Sequence, residues 1–193
     1  MKELALNILD IVQNSIRAEA DHISIEIRES EQLNLYQIII TDNGKGIPEG
    51  MLEHVADPFV TSRTRRRMGL GLPLLKYHAD LAGGELKINS EVGKGTIVNA
   101  TFRYNHIDRQ PLGDITGVLK ILIASNPGIS FIYNHTVGNR EYTFSTQETK
   151  EFLMVDKLYE MDLLQDIGLM IKENLKEINA SGISFLEITG IKS

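Results

Sequence analysis

Along the first hundred residues, the spacing of the hydrophobic positions changes repeatedly between the period of a helix and the period of a strand. Apolar residues recur every three or four positions in three runs, as on the buried face of an amphipathic helix. Four shorter runs are rich in isoleucine or alternate apolar with polar residues, which is typical of strands. This order predicts a two-layer α/β sandwich over residues 1–104, with helices on one face of a mixed sheet. The helical runs are 3–20, a short one from Pro48, and 71–81, and the strand runs are 23–27, 36–41, 85–89 and 96–102.

A second pattern begins after the polar stretch 105–110 and Pro111. Polar residues followed by proline are typical of a connection between units, so we expect a boundary there. Beyond it we expect a small α+β interaction domain over residues 111–193. Its predicted elements are a helix capped by Asp114, a hairpin turning at Gly138–Asn139, an amphipathic helix over 163–178 and a strand over 183–188.

Composition narrows the possible functions. A chain of 193 residues with 42% hydrophobic content can form a sizeable core. Its net charge of −6 argues against general binding to nucleic acid or to anionic membranes. There are no cysteines, which excludes disulfides and thiolate metal sites, and no apolar run is long enough to span a bilayer. We expect a soluble, cytoplasmic protein with neither nucleic acid nor membrane as partner.

Asp10 and Asn14 lie one turn apart on the first predicted helix, on a stripe next to its apolar face. An amide oxygen is a suitable ligand for Mg²⁺, which prefers oxygen ligands. A carboxylate one turn away can orient an attacking nucleophile, so Asp10 is the candidate catalytic residue. The alternative is a pair of solvated polar residues on an amphipathic helix.

The segment Asp42–Asn43–Gly44–Lys45–Gly46 follows a strand and precedes a helix. A carboxylate at a strand end can accept a hydrogen bond from the exocyclic amine of adenine. Gly44 and Gly46 would let the backbone approach the base closely. The alternative is an ordinary turn, because such sequences favour positive φ.

Gly69, Leu70 and Gly71 open the helix over 71–81. Free N–H groups at the start of a helix form a phosphate site when no Cβ stands in the way. Four arginines at 63, 65, 66 and 67 precede these glycines, and Arg63 is the one we favour for binding phosphate. The same arginines also suit a solvated basic loop or a docking patch for an acidic partner.

Taken in order, these segments resemble the motifs of the GHKL ATPases, which include gyrase B, MutL and the histidine kinases. Residues 9–15 resemble the N box, 42–47 the G1 box, 57–63 the F box of histidine kinases and 69–72 the G2 box. The resemblance covers residues 1 to about 103 and implies a Bergerat-type fold that binds ATP and Mg²⁺. It implies that Asn14 ligates magnesium, that Asp42 binds adenine and that Thr96 lies near the base. It also implies a mobile lid over 57–68.

The resemblance implies phosphoryl transfer from ATP to a partner protein, or slow ATP hydrolysis, in signalling. Hydrolytic members of the family carry glutamate where this chain has Asp10, whose reach is shorter. The alternative function is therefore a nucleotide-gated binding module, similar to an anti-sigma factor or a MutL-like clamp. Either function predicts a protein partner, and a homodimer is possible.

Overall fold

The computed structural model describes residues 3–52, 54–56 and 71–181. Its helices and strands occur where the hydrophobic pattern predicts them, with one helix added after the last strand. The helices are α1 (Leu4–Arg17), α2 (Glu49–Leu52), α3 (Gly71–Leu81), α4 (Ile115–Ser125), α5 (Thr146–Leu153) and α6 (Met161–Glu177). The strands are β1 (His22–Ser30), β2 (Leu35–Asp42), β3 (Glu85–Glu91), β4 (Gly95–Arg103), β5 (Ser130–Val137) and β6 (Arg140–Ser145).

All six strands form a single mixed sheet in the order β3-β4-β2-β1-β5-β6. The pairs β1–β2, β2–β4, β3–β4 and β5–β6 are antiparallel, whereas β1 and β5 are parallel. In the central strands, alternate residues point into one core shared with the helices, as for Ile25 of β1 and Tyr133 of β5. The α/β fold class predicted from the sequence is therefore confirmed.

The expected boundary at 105–110 does not divide this sheet. Strand β5 pairs with β1 along its length, from His22 opposite Ser130 to Glu29 opposite Val137. The predicted helix, hairpin and amphipathic helix of the C-terminal part are present as α4, β5–β6 and α6. They extend the first sheet and core instead of closing a second one, because β1 would otherwise be an open edge. The strand predicted at 183–188 lies outside the described residues.

The same C-terminal part also accepts the hydrogen bonds of the first N–H groups of α1. The first N–H groups of a helix lack partners within the helix, and the side chain of Glu3 does not cap them. The N–H of Leu4 donates to the carbonyl of Pro111 at 3.0 Å, and that of Ala5 to the carbonyl of Leu112 at 2.8 Å. Helix α1, which carries Asp10 and Asn14, is therefore held by residues beyond the expected boundary.

Within the described residues, no helix combines the length and apolar character needed to cross a membrane.

Candidate nucleotide site

The carboxylate at the end of β2 is buried and fixed in orientation. Asp42 is 8% exposed. The Ser15 hydroxyl of α1 donates to its Oδ2 at 2.5 Å, and the N–H of Gly44 donates to its Oδ1 at 2.9 Å. A carboxylate oxygen accepts up to two hydrogen bonds, so Asp42 retains the capacity to accept an N–H from a ligand.

The turn after Asp42 is anchored to the neighbouring backbone. The Asn43 side-chain oxygen accepts from the N–H groups of Asp21 at 3.1 Å and His22 at 3.0 Å. Gly46 has a φ of +71°, and a Cβ there would stand 2.1 Å from the carbonyl oxygen of Glu91. Gly46 therefore lets the turn pack closely against the backbone of Glu91. The sequence had suggested that this glycine lets the backbone approach a base. The turn is therefore anchored directly after Asp42, the last residue of β2.

Thr96 lies beside Asp42 on the adjacent strand. The two residues are direct partners in the β2–β4 ladder, so their side chains share one face of the sheet. The Ser90 hydroxyl lies 2.8 Å from Thr96 Oγ1, donates to the Gly95 carbonyl at 2.8 Å and accepts from the N–H of Ile47 at 2.8 Å. This network links the turn to the β3–β4 hairpin and places Thr96 next to the buried carboxylate.

Helix α1 brings Asp10 to the start of α3. Asp10 is exposed and Asn14 is half-buried, one turn further along. A Cβ added to Gly71 would lie only 2.7 Å from Cβ of Asp10, so the first residue of α3 contacts α1 at this point. The Asn14 side-chain oxygen accepts a hydrogen bond from Arg17 Nη1 at 2.7 Å.

The structure therefore assembles two parts of the predicted site. Asp42, Gly44, Gly46 and Thr96 surround the end of β2, and Asp10 and Gly71 meet where α1 contacts α3. The Ser15–Asp42 hydrogen bond joins these parts, because Ser15 follows Asn14 in α1. Arg63, Gly69, Leu70 and the predicted lid at 57–68 lie outside the described residues.

Sequence reasoning missed the supporting roles of Ser15, Asn43 and Ser90. Ser15 lies on the apolar stripe of α1. A single hydroxyl on a buried stripe could have indicated that it has a buried polar partner. The bonds of Asn43 to Asp21 and His22 join residues more than twenty positions apart, so no local pattern indicates them.

Residues 2–106 match the family described as histidine kinase-, DNA gyrase B- and HSP90-like ATPases. The match covers more than half of the chain and includes each described residue of the predicted site. The chain belongs to this ATPase family. The GHKL resemblance noted in the sequence is thereby confirmed.

Among individual proteins, the ATPase region is similar to parts of bacterial histidine kinases. It is 34% identical over 96 residues to Sporulation kinase D of Bacillus subtilis, covering 49% of this chain and 18% of that kinase. It is 29% identical over 106 residues to the sensor histidine kinase ZraS of Escherichia coli, covering 55% of this chain and 23% of ZraS. The chain thus spans less than a quarter of either kinase.

A solved structure of the N-terminal domain of a DNA repair protein also aligns with this fold. The TM-score is 0.49 at 19% identity, covering 76% of this chain and 53% of the other.

Proposed function

We propose that this ATPase-family chain binds Mg-ATP and transfers the terminal phosphoryl group to a partner protein. The observation that most supports ATP binding is the buried Asp42 carboxylate, oriented by Ser15 and Gly44 and flanked by Thr96. The similarity to histidine kinases supports the phosphoryl transfer. A buried carboxylate that faces position 6 of a purine accepts from the exocyclic amine of adenine, whereas the O6 of guanine at the same position has no hydrogen to donate. We propose the cytoplasm as its place of action, because ATP is available there.

The residues fit ATP and Mg²⁺ in their chemistry. Asp42 would accept from the adenine amine, and the Asn14 side-chain oxygen would ligate magnesium. The backbone of Gly69, Leu70 and Gly71, together with Arg63, would bind phosphate oxygens at the start of α3. When bound, ATP supplies the phosphoryl group and magnesium offsets the charge of its phosphates.

Asp10 is the candidate catalytic residue of this proposal. Its carboxylate is exposed on α1, beside the first residue of α3 and one turn from Asn14. From that position it would orient a water molecule or an acceptor side chain for attack. Such general-base assistance typically contributes 10²- to 10⁴-fold in rate, so the loss of Asp10 should be large in an enzyme.

Turnover of Mg-ATP by Asp10→Asn tests this assignment. We expect the rate to fall at least about a hundredfold while ATP affinity is largely retained, because Asn cannot accept the proton. Asp80→Asn is the control, because it changes an exposed carboxylate on a different helix, α3, and this variant should turn over Mg-ATP at the wild-type rate. Equal rates in wild type and Asp10→Asn would remove Asp10 from the chemistry.

A second candidate function is nucleotide-gated binding of a protein partner without significant turnover. It is favoured by the shorter side chain of Asp10 where hydrolytic relatives carry glutamate. In that case Asp10→Asn should preserve ATP-dependent partner binding, and Asp10→Glu should raise ATP hydrolysis above that of wild type. A wild-type chain that phosphorylates a co-purified protein at a steady rate would exclude this candidate.

A further inference from the structure

A glutamine from the C-terminal part bonds to both helices that carry the candidate phosphate site. Gln110 belongs to the segment 105–113, which connects β4 to the start of α4. Asn7 Nδ2 of α1 donates to Gln110 Oε1 at 3.4 Å, and Gln110 Nε2 lies 3.2 Å from His78 Nε2 of α3. We call this set of three residues the Gln110 bridge. It joins α1 to α3 through both ends of one amide group.

The two bonds of the bridge use the donor and the acceptor of a neutral amide. An amide nitrogen only donates, so His78 Nε2 is the acceptor in its bond with Gln110. The amide oxygen accepts at the same time from Asn7, which is 4% exposed. Buried amides are normally hydrogen-bonded, so this acceptor satisfies a group that would be costly to leave without a partner. Methionine has nearly the same length as glutamine, but it has no N–H to donate and only a weak acceptor.

The Gln110 bridge is separate from the contact between Gly71 and Asp10. At that contact, a Cβ added to Gly71 would stand 2.7 Å from Cβ of Asp10. Because an α-helix rises about 1.5 Å per residue, the bridge lies about 4.5 Å from Asp10 along α1 and about 10 Å from Gly71 along α3. Contacts at separate points along two helices fix the angle between the helices as well as their spacing.

The neighbours of Gln110 anchor it to β2, the strand that ends at Asp42, and to the start of α1. Arg109 Cζ lies 4.5 Å from the ring centroid of Tyr36, which is a buried residue of β2, so the guanidinium is attracted to that ring. On the other side, the carbonyl of Pro111 accepts from the first N–H of α1 at 3.0 Å. The bridge therefore has a fixed origin from which it sets the positions of α1 and α3.

We propose that Gln110 is a positioning residue for the phosphate half of the nucleotide site. Through the bridge it sets the distance from α1, which carries Asp10 and Asn14, to the first turn of α3, where Gly71 would bind phosphate oxygens. Phosphates held by both helices depend on that distance, whereas a base bound at the end of β2 does not. Gln110 lies outside the family match, which ends at residue 106, so the C-terminal part supplies this contribution. The role rests on the proposed function, because it concerns the same nucleotide.

Nucleotide affinities of the full chain, measured by titration calorimetry, test this role. We expect Gln110→Met to weaken Mg-ATP binding at least about tenfold, because one displaced hydrogen bond to a charged group changes an affinity by about 10- to 150-fold. AMP lacks the two outer phosphates, so its affinity should stay within about twofold of the wild-type value. Gln37→Met is the matched control. Gln37 is also half-buried and donates to Asn99 at 3.0 Å, but on the sheet face opposite the helices, so both affinities should be unchanged.

Asn7→Leu tests the α1 end of the bridge. We expect it to weaken Mg-ATP binding and to spare AMP binding, as Gln110→Met does. The double variant should bind Mg-ATP no more weakly than the weaker single variant, because either change breaks the same bridge. Losses that multiply in the double variant would contradict a shared bridge. Circular dichroism checks that each variant is folded, and Asn7→Leu decides the matter if Gln110→Met is not.

Three results would overturn the positioning role, each for a different reason. If wild type and the folded variants bind Mg-ATP equally well, the bridge does not position the phosphate site, and the proposed function still stands. If the variants lose affinity for AMP and Mg-ATP by the same factor, the bridge supports the whole site and not its phosphate half. If wild type binds neither nucleotide, the proposed function fails and the positioning role fails with it.

Discussion

A buried acid and histidine join the C-terminal part of the chain to the first sheet. Glu29 Oε1 accepts from His135 Nε2 at 2.7 Å and from the backbone N–H of Ser181 at 2.8 Å. His135 Nδ1 lies 2.7 Å from the Tyr133 hydroxyl. Both the Glu29 carboxylate and the His135 ring are buried. The replacement Glu29→Ala would leave a buried donor on His135 and a half-buried donor on Ser181 without their acceptor.

The cost of Glu29→Ala follows from those two donors. A buried polar group left without a partner costs about 1–3 kcal/mol, and more when the lost partner was charged. We therefore expect the free energy of unfolding to fall by about 2–5 kcal/mol, which is a large part of the 5–15 kcal/mol typical of a domain.

Urea unfolding of wild type, Glu29→Ala and Glu26→Ala measures this cost. Glu26 is the matched control because it lies on the same strand, with its side chain 27% exposed and bonded only to Arg28 among the described contacts. A partly exposed pair of that kind contributes about 0–1 kcal/mol. Equal losses below about 1 kcal/mol for both variants would refute the structural role of Glu29.

Urea unfolding of the same variants at lower pH checks the protonation state of Glu29. Burial alone would raise the pKa of Glu29, but hydrogen bonds from His135 and Ser181 outweigh it and hold the pKa below its usual 4.5. A lowered folded-state pKa contributes stability that is complete above the unfolded pKa and is lost as pH falls through the folded value. The difference between wild type and Glu29→Ala should therefore shrink below pH 4.5. A difference that grows below that pH contradicts the assignment.

Two further predictions concern the turn after Asp42 and the C-terminal part. Gly46→Ala should lower the free energy of unfolding in urea by about 2 kcal/mol or more, because it adds a clash with Glu91 to the strain of a positive φ. Gly93→Ala is the control, at φ +80° with nothing within 4 Å, and should cost only about 1 kcal/mol. Equal losses would exclude the clash. A protein ending at Tyr104 should lose cooperative thermal unfolding and Mg-ATP binding, because it lacks the β5 partner of β1 and the carbonyls that cap α1. Retention of both properties would show that residues 1–104 fold alone.

The elements of this fold were predictable because each has a local cause. The apolar stripe of α1, the alternation in β1 and the cap of α4 by Asp114, which accepts from the N–H of Gly117, are all visible within a few residues. Helix α5 was not predicted, because Thr146–Leu153 is mostly polar and buries only Thr146. Its start depends on the Ser145 side chain, which accepts from the N–H of Glu148.

The arrangement of the elements was predictable only in part. The pairing of β1 with β5 joins residues more than one hundred positions apart, and no local pattern distinguishes it from a second sheet. At the candidate site, chemistry and spacing alone led to the proposal of Asp42 and Asn14. The Ser15 hydrogen bond that orients Asp42 was not predicted, because it depends on how α1 crosses the end of β2.

The proposed function requires that Asp42 selects adenine in a Mg-ATP site. Titration calorimetry with Mg-ATP should give an affinity for Asp42→Asn lower by about 10- to 150-fold, the equivalent of about 1.5–3 kcal/mol for a hydrogen bond to a charged group. Asp80→Asn is the control and should bind as wild type does, and GTP should bind wild type far more weakly than ATP. Circular dichroism should show that both variants are folded. Equal ATP affinity in folded wild type and Asp42→Asn, or equal affinity for ATP and GTP, would show that Asp42 does not select adenine.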